Sequence, residues 1–177
     1  AIALRNYPEW LLLYWACVST GVTVVGMNAW WVEDEMTYGL KDSAPKILFC
    51  DQERLARYLN IRDKFPDITT VGVRLPNTTP DVINYAEVIA TGGDLPEVTV
   101  DPDTDACIFY TSGTTGYPKG AQLTHRGCVH NIMNLGFAAQ VTGLSTARIN
   151  NVEPPNPEDI EPPSALVTTP MFHVTAN

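Results

Sequence analysis

A run of hydroxyl residues, glycines and one lysine occupies residues 110–120, and its composition suits the binding of anions. It reads Tyr-Thr-Ser-Gly-Thr-Thr-Gly-Tyr-Pro-Lys-Gly. Glycines accept conformations that let several backbone N–H groups converge in a tight loop, Thr and Ser add hydroxyl donors, and Lys119 adds a point charge. Donors gathered in this way suit phosphate oxygens. Composition alone also allows a second interpretation, a flexible surface loop.

Two better-known glycine motifs do not match this run. A Walker loop requires Gly directly before its Lys and a hydroxyl residue directly after it, but Pro118 and Gly120 occupy those positions. A nucleophile elbow requires Gly two residues before and two residues after its Ser. Around Ser112 those positions hold Tyr110 and Thr114, so the run is neither a Walker loop nor a nucleophile elbow.

The segment 111–120, TSGTTGYPKG, resembles the phosphate-loop signature of the adenylate-forming (AMP-binding) superfamily, which includes acyl-CoA synthetases, firefly luciferases and peptide-synthetase adenylation domains. The match covers the full signature, and Tyr117 holds its single variable slot. The opening residues 1–31 resemble the early helix and strand of bacterial acyl-CoA synthetases. Near the other end, TTPMFHVTA at 168–176 is similar to the motif that lines the acyl pocket. The resemblance therefore covers nearly the whole chain.

This resemblance implies an acyl-CoA synthetase that uses ATP and magnesium to convert a carboxylic acid into its acyl-adenylate and then transfers the acyl group to coenzyme A. Amino-acid-activating members usually have Asp where this chain has His173, so an acid without an α-amine is expected. Fatty and aryl acids both stay open, and a role in fatty acid metabolism is one expectation. Two alternatives also stay open: a stand-alone, non-catalytic phosphate-binding module, and a luciferase-like oxidase on the same scaffold.

The resemblance also implies roles for individual residues. Lys119 and His173 are the expected catalytic residues, with His173 near the carboxylate and the thiol route, although its local sequence equally suits an ordinary histidine in a turn. Thr111 is expected to contact magnesium together with ATP. The residues expected to bind the phosphates are Thr111, Ser112, Gly113, Thr114, Thr115, Gly116 and Lys119.

Composition narrows the possible partners. The chain has 177 residues and a net charge of −9 without a basic cluster, so nucleic acid is not an expected partner. Three of its four Cys lie in apolar runs and none forms a C-x-x-C pair, which favours reduced thiols in a cytoplasmic protein. His125 and His130 are off metal-ligand spacing, and no structural metal site is expected.

The uncharged stretch 10–31 is long enough to cross a bilayer on length alone. Ser19, Thr20 and Gly21 interrupt it, however, and the β-branched residues at 22–25 favour a strand. A buried helix followed by a buried strand explains the stretch better, so no integral membrane segment is expected. The helix is apolar nearly all round, which predicts deep burial.

The elements that must hold the loop alternate between strands and helices. This pattern predicts an α/β fold with a parallel-rich sheet flanked by helices. By resemblance it is one lobe of the N-terminal domain of an acyl-CoA-synthetase-like fold, so that residues 1–177 form a single lobe of a larger AMP-binding domain and are inactive alone. Within the lobe, 144–163 is expected to be an exposed Pro-rich connection. Predicted strands are 1–4, 23–27, 46–50, 69–73, 106–109, 120–123 and 165–169.

The same pattern gives the helices and their caps. Asn6 is expected to cap the first helix, which has Pro8 in its first turn and ends near Ser19. Another helix runs over 33–43, Asp51 caps a third, and Thr124 caps a fourth. Several residues of this fourth helix keep helical spacing; they are Val129, Ile132, Met133, Gly136 and Phe137.

Overall fold

The computed structural model describes residues 1–111, 116–154, 164 and 166–173. Within these residues the chain forms seven strands and five α-helices in one α/β layer structure. The strands are β1 (Ile2–Ala3), β2 (Val24–Gly26), β3 (Ile47–Asp51), β4 (Thr69–Val73), β5 (Ile83–Asn84), β6 (Asp105–Thr111) and β7 (Lys119–Thr124). The α-helices are α1 (Pro8–Val18), α2 (Glu33–Ser43), α3 (Gln52–Leu59), α4 (Tyr85–Ala90) and α5 (His125–Ile149), and a 3-10 helix spans Arg62–Lys64.

All seven strands belong to one sheet with the order β5-β4-β3-β1-β2-β6-β7. Every neighbouring pair is parallel except β6 and β7, which are antiparallel. The predicted parallel-rich α/β sheet is therefore confirmed. In such sheets the carboxyl ends of the strands meet at one edge, which is where ligands usually bind.

Two hydrophobic clusters lie on opposite faces of this sheet. Ile2 belongs to one and Ala3 to the other, because successive strand residues point to opposite faces. The Ala3 cluster includes Leu40 of α2 and Tyr58 of α3. The Ile2 cluster includes Trp10 of α1, so helices cover the sheet on both sides.

Local capping explains where two of the helices begin. The Asp51 side chain accepts a hydrogen bond from the Arg54 N–H at 3.1 Å, and Thr124 Oγ1 accepts one from the Gly127 N–H at 3.1 Å. Both predicted caps are therefore confirmed. The α2 boundaries and the β4 boundaries also agree with those expected from sequence.

The predicted cap of α1 is wrong. The N-cap residue is Tyr7, which makes no side-chain capping hydrogen bond, and Pro8 follows at the first helical position. The side chain of Asn6 instead bonds to the backbone of Thr169 and Met171. A long-range pair of partners thus replaces the local one that the sequence suggested.

The expected deep burial of α1 is also wrong. On α1 only Trp10 and Leu13 are buried, whereas Trp15 is 59% exposed. On α5 the apolar residues at helical spacing are also open to solvent, with Phe137 at 70% exposure. Among the described residues, no element covers these exposed apolar side chains.

The last part of the chain differs from prediction in two ways. Residues 166–168 form no strand, and Ala165 lies outside the described residues. Helix α5 continues through 144–149, so the Pro-rich connection predicted for 144–163 begins later, and 155–163 lie outside the described residues. None of the helices among the described residues combines the length and the apolar character needed to cross a membrane.

Candidate functional site

The antiparallel pair β6–β7 holds the two ends of the glycine-rich loop. Thr111 and Lys119 are opposite each other in the ladder, and Thr111 Oγ1 donates a hydrogen bond to the Lys119 carbonyl at 3.4 Å. Both residues are exposed. Ser112, Gly113, Thr114 and Thr115 lie outside the described residues. The hairpin therefore brings together the first and last predicted phosphate contacts.

Backbone conformation explains why glycine occupies position 116. Gly116 has φ +108°, and a Cβ atom built there would meet nothing within 4 Å. Space is therefore not the constraint. The constraint is the positive φ, which glycine accepts at no steric cost, so this part of the loop has the backbone freedom expected of an anion-binding turn.

Aromatic contacts anchor the end of the loop and the strand before it. Tyr117 stacks on Tyr38 of α2, with 4.7 Å between ring centroids and 19° between planes. The Tyr110 hydroxyl donates to Asp42 Oδ2 at 2.7 Å. Burial, reinforced by the neighbouring Asp42 carboxylate, raises the pKa of Tyr110 well above its usual range, so the phenol stays protonated and keeps donating.

A cleft of about 320 Å³ lies beside the loop at the carboxyl ends of β2 and β6. Two of its surfaces are aromatic, since Trp30 and Trp31 face it, and Trp31 packs edge-on against Tyr110 at 5.1 Å. Asn28 Oδ1 accepts from the Trp30 N–H at 2.9 Å and fixes that turn. The cleft is lined by Asn28, Trp30, Trp31, Glu35, Tyr110, Thr111, Gly116 and Pro118.

His173 lies near this cleft but does not line it. It sits in a turn in which its backbone N–H donates to the Pro170 carbonyl at 3.0 Å. The preceding Phe172 is 6% exposed and packs edge-on against Trp30, with 5.2 Å between ring centroids. Trp30 therefore connects the His173 turn to the cleft that contains Thr111.

Close packing fixes the Phe172 backbone against the sheet. A Cβ atom at Gly26 would lie 2.8 Å from the Phe109 ring and 3.3 Å from the Phe172 carbonyl oxygen. A side chain at this position would clash with the Phe109 ring and crowd the Phe172 carbonyl oxygen. The glycine therefore sets how closely that segment approaches the sheet.

Sequence reasoning missed several residues of the site, among them Asn28, Trp30 and Tyr38. One signal could have found Asn28 and Trp30, because they directly follow the carboxyl end of a strand in a predicted parallel sheet. Tyr38 lies on α2, and nothing local to its sequence indicates contact with a loop residue almost eighty positions later.

A second depression, of about 480 Å³, lies where the chain leaves β1 and β3. It contains three arginines, each of which is paired with a carboxylate. Arg5 contacts Glu53 at 3.3 Å, Arg54 contacts Asp51 at 3.2 Å, and Arg74 contacts Glu9 at 2.8 Å. Since these charges are already compensated, the glycine-rich loop and its cleft are the better candidate site.

Comparison with known proteins identifies the family of the chain. The family model described as "AMP-binding enzyme" matches residues 1–177. The chain belongs to the AMP-binding enzyme family. The resemblance inferred from TSGTTGYPKG is thereby confirmed.

The relatives of this chain include proteins named for different acids. The chain is 34% identical over 131 residues to indoleacetate–CoA ligase of Aromatoleum aromaticum, covering 73% of this chain and 25% of that protein. It is 29% identical over 147 residues to the peroxisomal long chain acyl-CoA synthetase 6 of Arabidopsis thaliana, covering 76% of this chain and 21% of that protein.

A solved structure of ATP-bound MatB from Rhodopseudomonas palustris is also similar, with a TM-score of 0.59 and 31% identity, covering 76% of this chain and 26% of that chain. The chain spans about a quarter of the length of the curated relatives it matches.

Proposed function

We propose that this chain is the part of an ATP-dependent acid–CoA ligase that carries the phosphate-binding loop and one wall of the acyl pocket. The observation that carries the proposal is the hairpin in which Thr111 and Lys119 face each other at the two ends of TSGTTGYPKG. Membership of the AMP-binding enzyme family supports the reaction class. Relatives named as an acyl-CoA synthetase and a CoA ligase support coenzyme A as the acyl acceptor.

The donor set at the loop suits a polyphosphate. Lys119 is an exposed cation on β7, the Thr111 hydroxyl is next to it, and the positive φ of Gly116 allows the backbone to turn toward a ligand. When bound with magnesium, ATP supplies the α-phosphate that the carboxylate attacks and the pyrophosphate that leaves. We assign the β- and γ-phosphate contacts to Thr111, Ser112, Gly113, Thr114, Thr115, Gly116 and Lys119.

These residues act by stabilising charge on the leaving group. The pyrophosphate gains negative charge as its bond to the α-phosphate breaks, and preorganised donors at that position lower the barrier. Lys119 contributes a charge-assisted hydrogen bond, the stronger kind. We further propose that Thr111 contacts the magnesium ion and that His173 stands near the carboxylate and the incoming thiol.

The acyl acid is proposed to be a fatty or aryl acid. Trp30 and Phe172 form an aromatic corner beside the cleft, with 5.2 Å between their ring centroids. Such a surface suits an apolar acyl group, because burial of apolar area on binding is favourable. His173, in the position where amino-acid-activating members usually have Asp, offers no carboxylate to pair with an amine.

Substitution of Lys119 tests the proposal. In the full-length gene product that contains this chain, Lys119→Ala should lower acyl-adenylate formation by about a hundredfold or more, because it removes a charged donor from a developing anion. Pyrophosphate release with a panel of fatty and aryl acids measures the effect. Lys46→Ala is the matched control, since Lys46 is an exposed lysine at the amino end of β3, on the opposite edge of the sheet. Unchanged pyrophosphate release in Lys119→Ala would contradict the assignment.

The 177-residue chain should not form acyl-adenylates alone. A few charge-assisted hydrogen bonds, each worth roughly 1.5–3 kcal/mol at best, are offset by lost translational freedom and loop ordering. We therefore expect ATP to bind no tighter than about 1 mM, or about 4 kcal/mol. Acid-dependent pyrophosphate release by this chain, absent in its Lys119→Ala variant, would show that the site is complete without further sequence.

A further inference from the structure

The side chain of Asn6 joins two distant parts of the chain at the site. Its Nδ2 donates to the Thr169 carbonyl at 2.8 Å, and its Oδ1 accepts from the Met171 N–H at 2.9 Å. An amide nitrogen can only donate and an amide oxygen can only accept, so the two bonds together fix the orientation of the side chain. One amide thus pairs with a carbonyl and an N–H two residues apart, as a neighbouring strand would.

The backbone that carries Asn6 is itself held from several directions. The Arg5 N–H donates to Asp51 Oδ2 at 3.1 Å, and the Tyr7 N–H donates to the Arg5 carbonyl at 2.7 Å. The guanidinium of Arg74 lies 4.5 Å from the centroid of the Tyr7 ring. Asn6 therefore projects from a fixed turn at the carboxyl end of β1, which suits it to hold another segment in place.

The segment that Asn6 holds leads directly into the candidate site. Met171 is 7% exposed and packs in the cluster with Trp10. The next residue, Phe172, contacts Trp30, which lines the cleft. His173 then closes the turn with Pro170. The position of the Asn6 amide therefore sets where the aromatic corner and His173 stand relative to the cleft.

We propose that Asn6 is a positioning residue for the acid-binding side of the site. Its side chain bonds to the backbone of Thr169 and Met171, and it acts through that backbone. Since Asn6 is exposed, its effect on global stability is small and its effect on the local position of the segment is the larger one. The two hydrogen bonds from Asn6 to Thr169 and Met171 form a tether, and the tether does not depend on the proposed ligase function. Its kinetic consequence does rest on that function.

Two substitutions separate the two hydrogen bonds. Asn6→Ala removes both, while Asn6→Asp keeps an acceptor for the Met171 N–H but replaces the donor to Thr169 with an oxygen. Asn84→Ala is the matched control, because the Asn84 side chain makes a local bond to the Ala86 N–H at 2.9 Å on α4. All three variants are made in the full-length gene product.

Hydrogen exchange tests the tether independently of activity. Mass spectrometry of the peptide 166–173 should show the Met171 amide exchanging about tenfold faster in Asn6→Ala, the change expected for one lost hydrogen bond. Asn6→Asp should retain most of the protection, and Asn84→Ala should behave as the wild type. Wild-type exchange in Asn6→Ala would overturn the proposal.

Kinetics tests the consequence for the site. In Asn6→Ala the KM for the acid should rise about three- to tenfold while the KM for ATP stays unchanged, because only the acid-binding side loses its support. Equal changes in both KM values, or an unchanged KM for the acid, would show a merely structural role and overturn the proposal. If the wild type forms no acyl-adenylate at all, the proposed ligase function is overturned instead. Hydrogen exchange would then be the one test of whether Asn6 holds the segment.

Discussion

Helices α3 and α5 begin in the same way but end up in opposite surroundings. Each starts at a side-chain cap, Asp51 or Thr124, and each carries apolar residues at helical spacing. In α3 the residues Leu55 and Tyr58 are buried, whereas along the 25 residues of α5 only Ala147 is. The contrast shows that apolar periodicity identifies the face a helix can bury, while burial itself depends on a partner element.

The ion pairs of the two regions differ in the same way. Asp51 and Arg54 have side chains only 6% and 1% exposed, and the Arg54 Nε also donates to the Ala29 carbonyl at 2.7 Å. Asp103 and Arg126 meet in a two-point pair at 2.7 and 2.9 Å, but their side chains are 68% and 49% exposed. The Asp–Arg pair of α3 is therefore buried in protein, whereas the Asp–Arg pair at the start of α5 is exposed to water.

Breaking these two ion pairs should give the largest difference in the free energy of unfolding between the α3 and α5 regions. Asp51→Ala should lower the free energy of unfolding by about 3–5 kcal/mol, because it leaves Arg54 buried without its main partner. Glu53, 3.1 Å from Arg54, should offset part of this loss, whereas loss of the α3 cap at Asp51 should add to it. Asp103→Ala, the matched variant, should have no measurable effect because water screens that pair. Urea denaturation of both variants measures the difference, and equal losses would contradict the comparison.

Truncating one leucine in each helix should give the next largest difference. Leu55 on α3 is 4% exposed. Leu55→Ala should lower the free energy of unfolding by about 2–5 kcal/mol, because burial is lost and a cavity is left behind. Leu135, 65% exposed on α5, should change the free energy of unfolding by less than about 0.5 kcal/mol when changed to Ala. Thermal or urea unfolding of both variants tests this. A large loss in Leu135→Ala would show that α5 is covered in solution.

The smallest expected difference is in the rates at which two buried thiols react with a thiol reagent. Cys50 lies in the cluster with Tyr58, and Cys107 lines the groove of about 480 Å³ between α1 and α5. Burial raises the pKa of both, that of Cys107 to about 12. At pH 8 both thiols are therefore protonated and unreactive in the folded state, so a thiol reagent should reach them only after opening.

Because α5 is poorly covered, we expect Cys107 to react through local opening and Cys50 only through global unfolding, hence more slowly. In the open state an ordinary thiol titrates near 8.5, so the Cys107 rate should rise with pH to about 8.5 and then level off. Single-cysteine variants treated with a disulfide reagent measure both rates. A Cys107 rate that keeps rising toward pH 12 would mean that the thiol reacts in the folded state.

Local physics explains which elements could be predicted from the sequence. The β-branched run of β4, the acidic first turn of α2 and the caps Asp51 and Thr124 all act within a few residues, and each was confirmed. The prediction that Asn6 caps α1 was wrong because the partners of its side chain are more than 160 residues away in the chain. The prediction that α1 is deeply buried was wrong because composition does not show whether another element covers the helix.

The candidate site divides in the same way. The loop and its two ends, Thr111 and Lys119, could be read from one contiguous motif, and their opposition across β6–β7 is a short-range consequence of the hairpin. The contact between Trp30 and Phe172 joins residues that lie far apart in sequence. Only the assembled sheet, with the close approach at Gly26, brings that pair together.

The pairing of β2 with β6 also affects how the chain is made. Val24 pairs with Cys107, more than 80 residues later. A ribosome that adds about 5–20 residues per second needs roughly 4–16 s to deliver the missing strand. Throughout that interval the backbone groups on one side of β2 lack their partner, and an open strand edge is a template for pairing with another chain. The interval between synthesis of β2 and synthesis of β6 is therefore a period in which the nascent chain presents an unpaired strand edge to other chains.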